Sequence, residues 1–371
     1  METERKSGIE LLKIIAILLI IISHVSQTVG SGNPSLGGLD SNIATTNPQY
    51  IILMLFRHFG SLGNILFFIC SAWFLCESGK KRNGEKILRI VFDVWIISIV
   101  YLFAFIIAGE DLSIQDIIKS IFPTIFSNNW YITSYLMLYA IFPYLNWIIE
   151  KMSQKELLTV NIVAFLLYYG VGYVYNSAFF ANKFILFIVI YFFIAYIKQY
   201  MKNISANKKW NLCLLILGIC GYIGIALTTN FMGLRINFLS TRVLHWSSMS
   251  SPFLLFVGIA LFQIFRTNQF VNVGINRVAG LSLFIYLFHE NILLRQYFRP
   301  RIFYYIYTNF GYQNIVLWVL GFAIILFIVA ILIGFFYQIT VQKWSGRFAK
   351  KIIRKITPLH DKWIEKLMEI N

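Results

Sequence analysis

Apolar blocks long enough to cross a lipid bilayer recur along the whole chain. Because an α-helix rises about 1.5 Å per residue, roughly 20 apolar residues span the ~30 Å hydrocarbon layer. Residues are 58% hydrophobic and only 13% charged, which exceeds what a soluble core needs. The sequence therefore predicts an all-α, polytopic membrane protein with about ten transmembrane helices. The predicted spans are residues 8–29, 53–76, 89–108, 130–149, 156–175, 184–200, 212–230, 251–266, 278–294 and 314–337.

The basic residues indicate how these spans are oriented. The chain carries 32 Lys and Arg against 16 Asp and Glu, a formal net charge of +16, and the basic residues concentrate in alternate loops. Positively charged loops stay on the cytoplasmic side of a membrane. We therefore predict that both termini are cytoplasmic and that the protein lies in the cell membrane. Apolar blocks separate the basic residues, so a nucleic-acid partner is not expected.

We predict a transmembrane domain at residues 1–340 and a basic tail at residues 341–371. In the tail, four apolar residues recur at four-residue spacing: Trp344, Phe348, Ile352 and Ile356. This pattern predicts an amphipathic helix on the anionic inner leaflet, with membrane lipids as its partners.

Ionisable residues interrupt the first span. Lys13 and His24 are eleven residues apart, which places them on one helix face about 16 Å apart, with Glu10 one turn from Lys13. Such residues are costly within a bilayer and are functional candidates for that reason. Two structural alternatives stay open: Lys13 can reach the inner headgroups beside Glu10, and His24 can hydrogen-bond to a neighbouring helix. These charges also argue against a cleaved signal peptide.

Further candidates lie near the predicted outer ends of the spans. Trp130 and Tyr131 open an aromatic stretch that forms either an interfacial belt or a binding surface, and Pro143 is expected to bend or stop that helix. Charged residues of the late outer segments are Arg235, Arg242, His245, His289, Glu290, Arg295, Arg299 and Arg301. They are either solvated charge or a cleft for an anionic or hydroxyl-rich partner. All four cysteines fall in predicted spans, so we expect no disulfide and no metal centre.

Several short motifs follow one another along the chain. The first span opens with Gly8, Glu10 and Lys13 and closes with His24. Later motifs are FFICSAWFL at 67–75, KILR at 86–89, NWYITSYLMLYAIFPYLN at 129–146 and IYLFHEN at 285–291. Together they resemble the acyltransferase-3 family of integral membrane acyltransferases, particularly its branch that O-acetylates surface polysaccharides. That family usually has Asp and Arg where this chain has Glu10 and Lys13, so bidentate phosphate binding by an arginine is lost.

The resemblance implies transfer of an acyl group, commonly acetyl, from cytoplasmic acetyl-CoA. The acceptor would be a hydroxyl of a cell-surface polysaccharide or of its lipid-linked precursor. His24 would act as general base or as acyl-carrying nucleophile, with Glu10 as its orienting or charge partner. Donor phosphates would contact Lys13, Lys86 and Arg89. The residues expected to bind the acceptor are Trp130, Tyr131, Arg242, His289, Glu290 and Arg295.

Two other classes of function compete with this interpretation. A transporter of a solute or glycan intermediate would also place charges within its spans. A scaffold in polysaccharide export would need no chemistry at His24. Some members of the resembling family carry a soluble hydrolase-like domain that finishes the transfer. Without one here, the membrane domain is expected to acylate its acceptor directly or to hand over to a separate protein.

Overall fold

The computed structural model describes residues 6–29, 46–77, 83–175, 182–240 and 248–368, and these ranges contain helices and no β-strand. In chain order the helices are α1 (Ser7–Val29), α2 (Pro48–Leu75), α3 (Gly84–Ile107), α4 (Ile114–Ile121), α5 (Trp130–Lys151), α6 (Gln154–Ala164), α7 (Gly172–Tyr175), α8 (Lys183–Tyr200), α9 (Lys202–Ala206), α10 (Lys208–Gly233), α11 (Asn237–Ser240), α12 (Pro252–Thr267), α13 (Val273–Ala279), α14 (Ser282–His289), α15 (Arg299–Phe310), α16 (Ile315–Ile339) and α17 (Val341–Met368).

Eight helices within the described ranges are long and apolar enough to cross a membrane. They are α1, α2, α3, α5, α8, α10, α16 and the continuous helix Gln154–Tyr175, in which a π-helical segment joins α6 to α7. The prediction of an all-α, multi-pass membrane protein is therefore confirmed. The number of ten spans and the cytoplasmic location of the termini remain predictions.

Local sequence signals explain where several helices begin. The Asn47 side chain accepts a hydrogen bond from the Gln49 backbone N–H at 2.9 Å, and Pro48 opens α2. Ser251 and Pro252 repeat this arrangement at the start of α12. Side-chain acceptors satisfy backbone N–H groups that a helix start leaves without partners, and proline has no such group to satisfy.

Helix α1 lies in the middle of the bundle, where it packs against α2, α12, α14 and α16. Its approach to α2 is close because Gly60 and Gly63 face it. A Cβ atom on Gly63 would lie 2.5 Å from the carbonyl oxygen of Ala16, so a larger residue does not fit there. The interior position of α1 carries His24 into the protein.

The predicted ninth span is not one helix. Helix α13 ends at Ala279, α14 runs only from Ser282 to His289, and a π-helical segment at Leu294–Phe298 precedes α15. The Asn291 side chain accepts a hydrogen bond from the Leu293 backbone N–H at 3.0 Å. This local bond competes with continuation of the helix, and it leaves Glu290 at a helix end.

Helix α5 continues through Pro143 to Lys151, so the proline does not stop it. The turn after Pro143 is fixed by Asn146, whose side-chain Nδ2 donates to the carbonyl oxygens of Leu75 at 3.0 Å and Glu77 at 2.9 Å. Its Oδ1 accepts from the Tyr191 hydroxyl at 2.6 Å. These tertiary bonds hold the segment in register despite the missing backbone N–H.

The carboxylate of Asp93, on α3, fixes the start of the C-terminal helix α17. Asp93 Oδ1 accepts hydrogen bonds from the Tyr337 hydroxyl and from the Ser345 hydroxyl, both at 2.8 Å. The rings of Phe92 and Phe348 also meet, with centroids 5.2 Å apart. The first turns of α17 are therefore anchored to the bundle, although the domain boundary at residue 340 stays a prediction.

Candidate active site

His24 contacts two residues from the end of α14. Its Nδ1 lies 2.7 Å from Oε2 of Glu290 and 3.1 Å from Nε2 of His289. The two imidazole rings are stacked, with centroids 5.3 Å apart. The break after α14 produces this contact, because it turns Glu290 towards α1.

The hydrogen bonds assign the imidazole tautomers. His289 Nδ1 lies 2.7 Å from the carbonyl oxygen of Ile285, which can only accept, so Nδ1 carries the proton. Nε2 of a neutral His289 is then an acceptor. His24 Nδ1 therefore carries a proton and donates towards Glu290 and His289, which leaves the lone pair of a neutral His24 on Nε2.

Two arginines hold Glu290 in place. Arg295 Nη1 lies 2.9 Å from Oε1 of Glu290, and Arg299 Nη2 lies 3.5 Å from Oε2. Arg299 is buried, with 1% of its side chain exposed. A buried carboxylate with charged partners stays ionised, so Glu290 is placed to stabilise positive charge on the His24 ring.

His24, His289 and Glu290 also offer three potential metal-ligand atoms within 4.8 Å of one another. However, His24 Nδ1 already lies within hydrogen-bonding distance of Glu290 and of His289. Two guanidinium groups also flank Glu290. Positive charge beside a carboxylate opposes binding of a divalent cation. The arrangement favours a proton-transfer site, and the absence of a metal centre stays a prediction.

A cavity of about 380 Å³, here named the His24 cavity, opens beside this cluster. Polar and aromatic residues around it include His24, Arg57, Asn64, Trp130, Lys183 and Arg295. Lys183 Nζ lies 4.0 Å from the centroid of the Trp130 ring. Glu290 also lines this cavity, so a molecule bound there would meet the histidine and its carboxylate partner.

A second cavity of about 240 Å³, named the Tyr286 cavity, lies on the other side of Asn64. Its lining includes Asn64, Ser71, Lys86, Tyr131, Tyr135 and Tyr286. Asn64 borders both cavities, and its buried Oδ1 has no hydrogen-bond partner among the residues that the structure describes. A buried amide oxygen without a partner is costly, which marks the junction as a place for a hydrogen-bond donor from a substrate.

Two further cavities continue from there towards the end of the bundle at which α1 and α3 begin. The Asp93 cavity, about 410 Å³, shares Lys86, Ile90 and Leu283 with the Tyr286 cavity. The Arg347 cavity, about 570 Å³, shares Glu85, Arg89, Gln338 and Gln342 with the Asp93 cavity. Neighbouring cavities with common lining residues thus form a series between a basic surface and His24.

The structure brings most of the predicted site residues to these cavities. Trp130, Glu290 and Arg295 border the His24 cavity, whereas His289 lies behind His24 and is fully buried. The adjacent residue Tyr131 faces the Tyr286 cavity instead. Two predicted donor contacts lie along the run: Lys86, whose Nζ is 2.9 Å from the Tyr135 hydroxyl, and Arg89.

Glu10 and Lys13 lie apart from this site. Lys13 Nζ is 2.8 Å from Oε2 of Glu10, and neither residue lines any of the four cavities. Glu10 is fourteen residues from His24, about 21 Å along the helix axis. It cannot orient the imidazole by contact, and the carboxylate that does so is Glu290.

The remaining outer arginines differ in their surroundings. Arg242 and His245 lie outside the described residues, so their predicted roles stay predictions. Arg301 forms a two-point ion pair with Glu110, with Nη2 and Oε2 2.7 Å apart. The Arg301 guanidinium lowers the pKa of the Glu110 carboxyl by hydrogen bonding to it. With Arg295 and Arg299 on Glu290, three of these arginines have carboxylate partners.

The sequence-based prediction missed Asn64, Asp93 and Lys183. Asp93 carried a visible signal, because an aspartate within the apolar third span is as costly as the residues singled out in the first. Asn64 gave a weaker signal, since amides in spans commonly bind neighbouring helices. Lys183 stands at the start of α8 and resembles an ordinary helix-end lysine.

The fold and the site define a multi-pass membrane protein in which a histidine–carboxylate pair lines an internal cavity. The model of the acyltransferase-3 family, described as an acyltransferase domain, matches residues 6–334. Since this match covers most of the chain, the protein belongs to that family and is a membrane acyltransferase. Comparison with curated proteins and with solved structures found no match.

Proposed function

We propose that this protein transfers an acetyl group from acetyl-CoA to a hydroxyl of a cell-surface polysaccharide or of its lipid-linked precursor. The observation that carries the proposal is the run of neighbouring cavities between a basic surface and His24, the last of which is lined by Trp130 and Arg295. A thioester donor and a sugar acceptor can approach one imidazole from opposite ends of such a run.

In the proposed reaction His24 acts as general base. Its Nε2 takes the proton from the acceptor hydroxyl as the oxygen attacks the thioester carbonyl. Glu290 stabilises the imidazolium that forms, because its carboxylate lies 2.7 Å from Nδ1. The carbon–sulfur bond then breaks, the imidazolium returns the proton to the thiolate, and CoA and the ester leave.

Direct transfer is favoured over an acyl-histidine intermediate because the Tyr286 cavity and the His24 cavity are neighbours that share Asn64. Donor and acceptor can therefore occupy the protein at the same time, and the acetyl group need not be stored on the ring. Initial-rate measurements with both substrates varied are expected to give a sequential pattern. A ping-pong pattern with an acetyl group trapped on His24 would instead identify a covalent route.

The two substrates are assigned to opposite ends of the run. Lys86 and Arg89 line its basic part and offer positive charge to the donor. Trp130, Lys183 and Arg295 surround the His24 cavity and offer an aromatic surface and hydrogen-bond donors to a saccharide. With the basic loops in the cytoplasm of a plasma-membrane protein, this arrangement moves acetyl groups outwards.

Purified protein in liposomes tests the proposal. Acetyl-CoA carrying a labelled acetyl group is supplied on the side of the α1 N-terminus, and glycans are analysed by mass spectrometry for a two-carbon ester. We expect label in ester form on an oligosaccharide acceptor. Uptake of the acceptor without acetylation would support a transporter instead. Comparison of surface glycans from cells with and without the gene identifies the natural acceptor.

A further inference from the structure

The C-terminal helix α17 contributes five of the nine residues that line the Arg347 cavity. Three of its basic residues, Lys343, Arg347 and Lys350, line that cavity together with Arg89 of α3. The acidic residue among the lining side chains is Glu85. The cavity therefore presents four positive side chains against one negative side chain to whatever occupies it.

The spacing of these residues on α17 places them on one face. At about 100° per residue, Lys343, Arg347 and Lys350 fall within a sector of roughly 60°. The exposed aromatic residues Trp344 and Phe348 lie on the adjacent face, where an apolar surface suits the membrane interface. The helix thus separates a face suited to lipid from a basic face that borders the cavity.

The basic face is held in position by buried hydrogen bonds. Asp93, which is 2% exposed, accepts from Ser345 on the second turn of α17 and from Tyr337 at the end of α16. Gln342 Nε2 also lies 3.4 Å from Oδ2 of Asp93. A helix that bound only to the membrane surface would need no such anchor.

Two observations connect this basic face to the proposed reaction. The Arg347 cavity shares Arg89 and Gln342 with the Asp93 cavity, the next cavity in the direction of His24. The family match ends at Gly334, so α17 lies beyond the part of the chain that the family model describes. A role for α17 in substrate binding is thus not implied by membership of the family.

We propose that Lys343, Arg347 and Lys350 of α17, with Arg89, form the binding site for the phosphate groups at the nucleotide end of a CoA thioester. The identity of this ligand rests on the proposed function, which supplies CoA as the donor. Lysine and arginine side chains bind phosphate oxygens through charge-assisted hydrogen bonds. The nucleotide end then stays at the basic surface while the pantetheine arm extends through the Tyr286 cavity.

Paired charge removals on the full-length protein test this site. The variant R347A/K350A removes two cations that line the cavity, and K351A/K355A removes two cations of the same helix that do not line it. Binding of CoA is measured by titration calorimetry in detergent. We expect R347A/K350A to weaken CoA binding about tenfold and the control pair to change it less than about twofold.

Donor analogues locate the lost contact. With S-acetyl-pantetheine, which lacks the nucleotide, R347A/K350A is expected to match the wild type in kcat and KM, which also shows that the variant is folded. With acetyl-CoA its KM rises about tenfold at unchanged kcat. An equal loss with both donors would overturn the phosphate site, and so would an equal loss in both paired variants.

A lipid ligand and a failed donor assignment give different results. If R347A/K350A binds CoA like the wild type but binds less to vesicles containing phosphatidylglycerol, the basic face holds lipid headgroups and the proposal is wrong. If the wild type does not bind CoA at all, the donor of the proposed function fails and this site fails with it. If the wild type binds CoA and transfers acetyl while R347A/K350A is unchanged, only the phosphate site is overturned.

Discussion

The two ends of the cavity run are built in opposite ways. At one end, His24, His289 and Glu290 are short side chains, mostly buried, that hold one another at 2.7 to 3.1 Å. At the other end, Arg89 and the lysines of α17 are long side chains at the surface, and the Arg89 side chain is 47% exposed. The protein therefore combines a fixed cluster with an adaptable basic surface.

This difference separates two tasks of an acyltransferase. Bond making requires groups fixed to within fractions of an ångström, which buried hydrogen bonds supply. Capture of a highly charged donor requires positive potential that acts over longer distances, which exposed cations supply. Substitutions at the His24 end should consequently lower kcat, whereas substitutions at the basic end should raise KM for the donor.

The largest effect is expected for His24→Ala. Without the imidazole the acceptor hydroxyl loses its proposed general base, so kcat should fall by about 10²–10⁴-fold. Binding of CoA and the thermal unfolding temperature should stay close to the wild type, because His24 borders a cavity. Transfer at the wild-type rate by a folded His24→Ala protein would contradict this prediction. It would show that the His24 cluster, like the basic surface, binds a substrate without taking part in the chemistry.

A smaller loss of kcat, about 10²-fold, is expected for Glu290→Gln. The amide cannot stabilise the imidazolium, while KM for acetyl-CoA should hardly change. The variant also leaves the buried Arg299 without its carboxylate, which costs about 3–5 kcal/mol, so rates are measured well below its melting temperature. Glu110→Gln is the matched control, since it breaks an arginine pair away from the cavities and should keep its activity.

At the basic end, Lys86→Met should raise KM for acetyl-CoA about tenfold and change kcat little. Lys86 lines two successive cavities, and its loss removes positive charge from the proposed path of the donor. The double variant E10Q/K13M removes the ion pair of α1 that lies outside the cavities and should change KM less than about twofold. If E10Q/K13M raises KM more than Lys86→Met does, the donor contacts Lys13 rather than Lys86, as the first-span motif suggests.

The smallest effect concerns the junction between the two ends. Asn64→Ala should lower kcat/KM about fivefold, the value of one hydrogen bond of about 1 kcal/mol to the substrate. Ser61, which lines only the His24 cavity from the same helix, provides the control variant Ser61→Ala. If both variants show the same loss, the position of Asn64 between the cavities has no special role.

Some residues of the candidate site can be predicted from the sequence and others cannot, for reasons that differ between residues. His24 is visible because an ionisable residue inside an apolar run is rare and costly. Its partner is not visible, because Glu290 and Glu10 are both carboxylates, and only the packing of α14 on α1 selects between them. The role of His24 as a base stays a prediction, and the carboxylate that the structure places beside it is Glu290, whereas Glu10 pairs with Lys13.

Sequence patterns also fail to show why the predicted ninth span is divided into separate helices. Averaged hydropathy predicts one apolar block at residues 278–294. In the structure α14 ends at His289, and the Asn291 side chain accepts a hydrogen bond from the Leu293 backbone N–H. The anchoring of α17 to the bundle likewise depends on a contact that the local sequence pattern does not show. The amphipathic pattern predicts a helix on the membrane surface, but the hydrogen bond between Ser345 and Asp93 joins residues 252 positions apart.

The central claim is that a donor entering at the basic end presents its acyl group to His24. Cryo-electron microscopy of the protein with S-acetonyl-CoA, in which a ketone replaces the thioester, tests this claim directly. We predict the nucleotide at the basic surface and the ketone carbon about 5 Å from His24 Nε2, a separation that lets one acceptor hydroxyl lie between them within reach of both. An acyl end that lies among lipid, or that stops short of Asn64, would contradict it.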